Sequence, residues 1–257
     1  MRDLMLDIQT HGEDANHPPI LIAHGLFGSG RNWGVIAKRL SVDRRVVTVD
    51  MRNHGASPTS DSHSYFDLAD DLAEVIAHLG GQADVIGHSM GGKASMILAL
   101  NHPEALRRLL VADIAPVAYT HSQSSLIAAM RAVDLSQVTT RSEADAQLAA
   151  DVDDKSVRAF LLQSLDVRGK EWRLNLDVLD REMDKIVGFP DITGQFNGPT
   201  LFLAGANSDY VRPEHRPLIK SLFPSAKQAK IPGAGHWLHA EKPREFEAAV
   251  RAFMIDT

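Results

Sequence analysis

The sequence predicts an α/β chain: a mostly parallel sheet with helices on both faces and a helical insertion over one sheet edge. Three observations carry this. Short continuous apolar runs recur along the chain, as expected of strands covered on both faces. Stretches with helical apolar spacing alternate with them, the order that builds parallel sheets through right-handed crossovers. From about Ala118 to about Val187, strand signals nearly vanish while helical stripes continue.

The first runs are Pro19–Ala23 and Arg45–Val49, with a short helix candidate from Trp33 to Leu40 between them. Tyr65 to Leu79 places Phe66, Ala69, Leu72, Ala73, Ile76 and Leu79 close to one helical face. A strand over 83–87, a helix over 89–101 ended by Asn101-His102-Pro103, and a strand over 109–112 follow. In the insertion, stripes run through Leu126-Met130-Val133 and Val157-Leu161-Leu165. Pro199–Gly205 resumes the sheet. A helix from Pro213 to Phe223, a short strand near Ala229–Ile231 and a helix from Pro243 to Met254 complete it; the last has Pro in its first turn. The expected organisation is therefore a core of residues 1–117 and 188–257, with a helical cap over 118–187.

The segment Gly87-His88-Ser89-Met90-Gly91-Gly92 is the most informative for chemistry. A bare Gly-x-Ser-x-Gly is a weak signal that often marks a flexible turn. Here an apolar strand precedes it and an apolar helix follows, the setting of a nucleophile elbow. The glycines let backbone crowd the turn and leave the Ser89 hydroxyl exposed. The helix aims its free N–H groups and positive dipole end at the same point.

A serine hydroxyl needs a base. In this arrangement the triad runs Ser, acid, His along the chain, so the base belongs on a late loop. His236, in Gly233-Ala234-Gly235-His236-Trp237, fits, against the blander reading of a turn histidine packed beside Trp237. His239 reads as structural. A His236/His239 metal pair lacks a neighbouring carboxylate, so no metal is expected. Two acids compete: Asp113 at the end of the 109–112 strand, and Asp209 after the next strand. Spacing alone leaves them balanced, and either could instead cap loop N–H groups.

Acyl transfer also needs two backbone N–H donors for the oxyanion. Met90, after the serine, supplies one. Leu26, in the glycine-rich loop His24-Gly25-Leu26-Phe27-Gly28-Ser29-Gly30, is the choice for the other. That loop lacks the spacing of a nucleotide-binding motif. Asp50 and Arg52, in Asp50–Pro58, read as loop braces. Lys93 lies one turn into the nucleophile helix, where a Ser-Lys dyad is conceivable but unnecessary beside His236. Phe27, Met90 and Trp237 suggest an apolar acyl pocket.

Bulk properties narrow the classes. The 257 residues carry a formal charge of −6, with 44% hydrophobic and 23% charged residues, as in an ordinary globular domain. That balance argues against nucleic acid or anionic membrane partners. Cysteine is absent, which excludes disulfides, thiolate metal sites and a cysteine nucleophile. Met1–Asp7 lacks the apolar stretch of a leader, and no run is long enough to span a membrane, so a cytoplasmic protein is expected, monomeric or homodimeric.

With these residues in place, the chain resembles the α/β-hydrolases, and among them the YbfF-type bacterial esterases. The resemblance runs through His24–Gly28, Asp50–Gly55, Gly87–Lys93, Asp113–Val117, Glu171–Asn175 and Gly233–Lys242. The first and third are shared across the superfamily; Asp-Met-Arg-Asn-His-Gly and Asp-Ile-Ala-Pro-Val are more specific. In that family the acid follows the sixth strand of the fold, the place Asp113 takes here. Relatives often read Asn-Ser-Pro-Tyr-Val where this chain has Asn207-Ser208-Asp209-Tyr210-Val211, a departure that keeps Asp209 in play. The resemblance implies hydrolysis of short- to medium-chain acyl esters, or acyl-CoA thioesters, without a cofactor. The rivals are a carbon–carbon bond hydrolase or a haloperoxidase-like perhydrolase on the same triad, and a non-catalytic small-molecule-binding protein on the same scaffold. A serine at the elbow argues against dehalogenase or epoxide hydrolase chemistry, which needs a carboxylate there.

Overall fold

The computed structural model describes residues 5–13 and 17–254. The leader reading of Met1–Asp7 rests partly on residues 1–4, which lie outside the described residues. In chain order the described elements are strands β1 (Ile8–His11) and β2 (Ile20–Ala23), helix α1 (Gly34–Leu40), β3 (Val46–Val49), α2 (Tyr65–His78), β4 (Ala83–His88), α3 (Met90–Asn101) and β5 (Leu106–Ala112). Helices α4 (Ser124–Ala132), α5 (Arg141–Leu148) and α6 (Lys155–Leu161) follow. A two-stranded hairpin, β6 (Leu165–Asp166) with β7 (Glu171–Trp172), and helices α7 (Leu176–Arg181) and α8 (Met183–Val187) come next. The chain then returns through β8 (Thr200–Gly205), α9 (Arg216–Leu222), β9 (Lys227–Ile231), α10 (Leu238–Glu241) and α11 (Pro243–Met254).

Among the described residues, seven strands form one sheet in the order β1-β3-β2-β4-β5-β8-β9. Only β1 runs antiparallel, against β3. Strand side chains alternate between faces, and the burial follows that period. Ile20 and Ile22 join Ile86, Leu110 and Leu203 on one side, packed against α1 and α11 through Ile36, Leu40, Phe246 and Val250. Leu21, Val47, Val85, Leu109 and Val111 face the other side with Leu72 and Val75 of α2 and Ile97 of α3. Burial on both faces is why these strands read as continuous apolar runs.

The order reverses at β2: the chain leaves it toward β3 and returns to β4 on its other flank. Such switch points leave a crevice at the carboxyl ends of the strands. The loop after β2 and the turn after β4 both open into it.

Some residues between β5 and β8 make polar contacts with the loops at this edge. Ser164 Oγ donates to the Phe27 carbonyl at 2.7 Å. The Glu171–Asn175 motif docks on the Asn53–Gly55 turn: Gly55 N donates to Arg173 O at 2.8 Å, and Asn175 N donates to Asn53 O at 2.9 Å. Several element boundaries differ from the sequence expectation. Ser89 caps α3 rather than opening it, β5 starts at Leu106, and 213–215 form a tight 3₁₀ turn before α9. No helix of the described residues is long and apolar enough to cross a membrane.

Candidate active site

Ser89 stands between β4 and α3 with φ 51° and ψ −118°, a conformation that costs a non-glycine residue energy. The strain is held by close packing. A Cβ on Gly87 would collide with the Gly91 carbonyl and Ser95 Oγ, and one on Gly91 with the Ala23 and His24 carbonyls. These two glycines let the turn sit directly on the end of β2. The Ser89 N–H is anchored to Ala112 O at 3.1 Å, so the turn is also tied to the end of β5.

Ser89 Oγ lies 3.1 Å from His236 Nε2, and His236 Nδ1 donates to Asp113 Oδ2 at 2.7 Å. Asp113 is fully buried and has φ 50°, which turns its carboxylate toward the histidine. Its other partners are Gly205 N, donating to Oδ1 at 2.9 Å, and Ser208 Oγ, donating to Oδ2 at 2.5 Å. The structure thus brings together Ser89, His236 and Asp113, and leaves Asp209 exposed, with Arg212 Nε bonded to its backbone carbonyl. The ring of His236 stacks on Tyr210, with centroids 4.1 Å apart. Two nitrogens of one imidazole therefore face a hydroxyl and a carboxylate, the arrangement that accepts a proton at Nε2 while holding the tautomer at Nδ1.

Leu26 and Met90 border the same cavity as Ser89. Among the described residues, neither backbone N–H has a hydrogen-bond partner. The next N–H along the loop, that of Phe27, is taken by His54 Nε2 at 3.2 Å. Phe27 itself has φ 62°, so the loop turns sharply there. The cavity has a volume of about 300 Å³, and Phe27, Leu126, Val157, Phe160 and Trp237 make its wall largely apolar. Phe160 of α6 packs on Trp237 at 5.4 Å between centroids, closing one side.

Residues 18–243 match the family described as the alpha/beta hydrolase fold. The chain is an α/β-hydrolase. It is 44% identical over 265 residues to mouse sn-1-specific diacylglycerol lipase ABHD11, covering 99% of this chain and 86% of the relative. It is 40% identical over 255 residues to Esterase YbfF of Escherichia coli K12, covering 98% and 99%. Among solved structures, a marine microorganism esterase superposes with a TM-score of 0.92 at 39% identity, covering 98% of this chain and all of that one. By these relatives the chain is an enzyme of the serine-hydrolase type.

Around this candidate site, buried side chains hold the loops. Asp50 accepts from Gly30 N at 2.7 Å and Ala56 N at 2.8 Å, and Arg52 binds Asp71 through Nε at 2.5 Å and a terminal nitrogen at 2.6 Å. Both act as the loop braces expected of them. His239 stacks on Trp33 with centroids 3.9 Å apart, and burial drives its pKa down to about 3. Lys93 makes no dyad with Ser89. Its Nζ donates to the Val187 carbonyl at 2.8 Å and to that of Gly188, and burial pushes its pKa down to about 7.

Sequence reading missed three contributors. His54 donates from Nδ1 to Arg52 O at 2.9 Å and accepts from Phe27 N, so it must be neutral. Burial, and then the neighbouring His24, push its pKa down to about 3. His24 plays the same part, bridging Gly25 O and Met51 N, with burial driving its pKa to about 4. Ser208 was passed over in favour of its neighbour Asp209. The Asn-His-Gly motif was the available signal for His54; nothing local marked Ser208.

Proposed function

We propose that the protein hydrolyses short- to medium-chain acyl esters or thioesters through a Ser89-His236-Asp113 triad and an acyl-enzyme. The observation that carries this is the unbroken line of contacts from Asp113 through His236 to Ser89, opening into an apolar cavity. Ser89 Oγ attacks the carbonyl as His236 Nε2 takes its proton. The Leu26 and Met90 N–H groups bind the oxyanion. His236 then protonates the leaving alcohol or thiol, and water enters by the same general-base route. Asp113 orients the imidazole and stabilises its charged form. Phe27 and Trp237 bound the acyl group, and residues 118–187 form the cap. The esterase and lipase names of the relatives favour ester hydrolysis over the carbon–carbon, perhydrolase and binding-only alternatives.

The test is intact mass after treatment with a fluorophosphonate, alongside turnover of a p-nitrophenyl ester series. The expected result is one adduct on the wild type and none on Ser89→Ala, with kcat of that variant lowered on the order of 10⁴-fold or more. Near-normal turnover by Ser89→Ala would remove Ser89 from the mechanism.

A further inference from the structure

The chain leaves the sheet through residues 117–119 and comes back through 186–188, and donors from several elements meet at these two crossings. Tyr65 Oη of α2 donates to Ile186 O at 2.6 Å. Lys93 Nζ of α3 donates to Val187 O at 2.8 Å and to Gly188 O. The Tyr119 N–H donates to Val187 O at 3.0 Å, joining the outgoing segment to the returning one. Tyr119 Oη accepts from Ala115 N at 2.9 Å and donates to Tyr210 O at 2.7 Å. Lys93 touches both crossings, because its ammonium also lies 4.8 Å from the centre of the Tyr119 ring.

A buried lysine is costly unless its charge is met, and lysines are almost never fully buried unless paired. Lys93 is 1% exposed, and among the described residues no carboxylate pairs with it. It faces carbonyl oxygens and the rings of Tyr65 and Tyr119. An apolar side chain would bury this helix face at lower cost but could not hold two carbonyls. Lys93 is also one helical turn beyond Ser89, and its N–H donates to Ser89 O at 3.0 Å. Helix α3 therefore carries both the serine and the group that grips the returning segment. Ile186 and Val187 border the cavity, as do Tyr65, Lys93 and Tyr119.

We propose that Lys93 is a positioning residue that clasps both ends of the 118–187 segment to the serine's helix, fixing the cavity wall at Ile186–Val187 and so the length of acyl chain accepted. The proposal rests on the reading of Ser89 as nucleophile and of 118–187 as a cap over the acyl site. Without the Lys93 Nζ, Gly188 O loses its donor, and the returning segment relaxes outward to find water. The cavity lengthens, and longer chains gain relative to short ones.

The test compares wild type, Lys93→Met and Tyr65→Phe on p-nitrophenyl butyrate, octanoate and decanoate, with fluorophosphonate labelling of Ser89 run in parallel. Lys93→Met is expected to label, and to raise the decanoate-to-butyrate ratio of kcat/KM by roughly tenfold, chiefly through KM. Tyr65→Phe removes only the hydroxyl bond to Ile186 O and is expected to shift the ratio the same way by a smaller factor. A mere loss of stability lowers every ester alike and leaves the ratio in place. If Lys93→Met labels and keeps the wild-type ratio, the clasp does not set chain length. If that variant does not fold, Lys93→Gln, too short to reach both carbonyls, takes its place, and an unshifted ratio in that folded variant overturns the proposal equally. Absence of labelling in the wild type itself would instead overturn the nucleophile reading.

Discussion

Asp113 and Asp209 both follow strands of the sheet, yet only one carboxylate reaches the histidine. Asp113 leaves β5 with a positive φ that swings its side chain under His236, and Gly205 N and Ser208 Oγ hold both of its oxygens. Asp209 points outward, and Ser208 beside it supplies a donor. Asp113→Asn is accordingly expected to lower kcat by about 10³–10⁴-fold with the fold intact by circular dichroism, since an amide holds the wrong imidazole tautomer. Asp209→Asn, an exposed change, should alter kcat/KM by less than about twofold. A severe loss in Asp209→Asn with a mild one in Asp113→Asn would reverse the assignment. Ser89 and His236 were legible because each sits in its own glycine-bounded turn. The choice of acid was not, because it depends on where two loops meet, 123 residues apart along the chain. The same holds for the Leu26 N–H. Which N–H of that loop is engaged turns on His54, 27 residues beyond Phe27, accepting from Phe27 N.

At the scale of elements, the strands that read well were those buried on both faces, β2, β3 and β4, whose apolar runs are continuous. Strand β1 was missed because it is a half-exposed edge of only four residues, IQTH, with no apolar run. β9 was read short for a similar reason: four of its five residues are exposed, and only Ile231 is buried. Asp84 runs against the pattern, as a carboxylate with no exposure inside β4. Its partners explain it. Arg44 from the turn before β3 reaches Oδ2 at 2.6 Å, and Arg107 of β5 binds both oxygens at 2.9 and 2.5 Å. The Arg44 guanidinium goes on to the Met254 carbonyl at 3.0 Å, so one carboxylate joins β4, β5 and the end of α11. Removing one partner of such a buried pair leaves charge uncompensated. Asp84→Asn is expected to lower unfolding free energy by about 3–5 kcal/mol in urea titrations. The site lies at the other end of the strands, so kcat of the folded fraction should hold; a change below about 1 kcal/mol would show the pair to be dispensable.

For the whole molecule, the carboxyl edge of the sheet is unusual in what it buries. His24, His54, His63, His88 and His239 are all buried around the crevice where β2 and β4 end, and burial is the largest cause lowering the pKa of each. A neutral imidazole offers one donor and one acceptor, which suits turns whose backbone groups cannot reach water. His88 Nε2 donates to the His236 carbonyl at 2.9 Å, as His24 and His54 bond Gly25 O and Phe27 N in the loop after β2. The arrangement has a consequence in acid. These groups take up protons near pH 6.5 once unfolded, but in the folded chain only near pH 4 for His24 and near 3 for His54 and His239. The unfolded state therefore binds more protons throughout that window. The stability these histidines contribute is full above pH 6.5 and drains as pH falls toward 4, by up to roughly 2 kcal/mol for each at pH 5. Lys93 extends the trend on the alkaline side, because its folded pKa of about 7 lies below the ordinary 10.5 and favours folding as pH rises. Thermal melts are thus expected to show Tm climbing steadily from pH 5 to pH 8. His54→Gln is the control: the amide oxygen can still accept the Phe27 N–H, but nothing titrates. It should reduce the slope of unfolding free energy between pH 4.5 and 6 by about one proton's worth, roughly 1.4 kcal/mol per pH unit. An identical slope in the variant would mean that His54 is protonated in the folded chain, with its Nε2 no longer free to accept from Phe27.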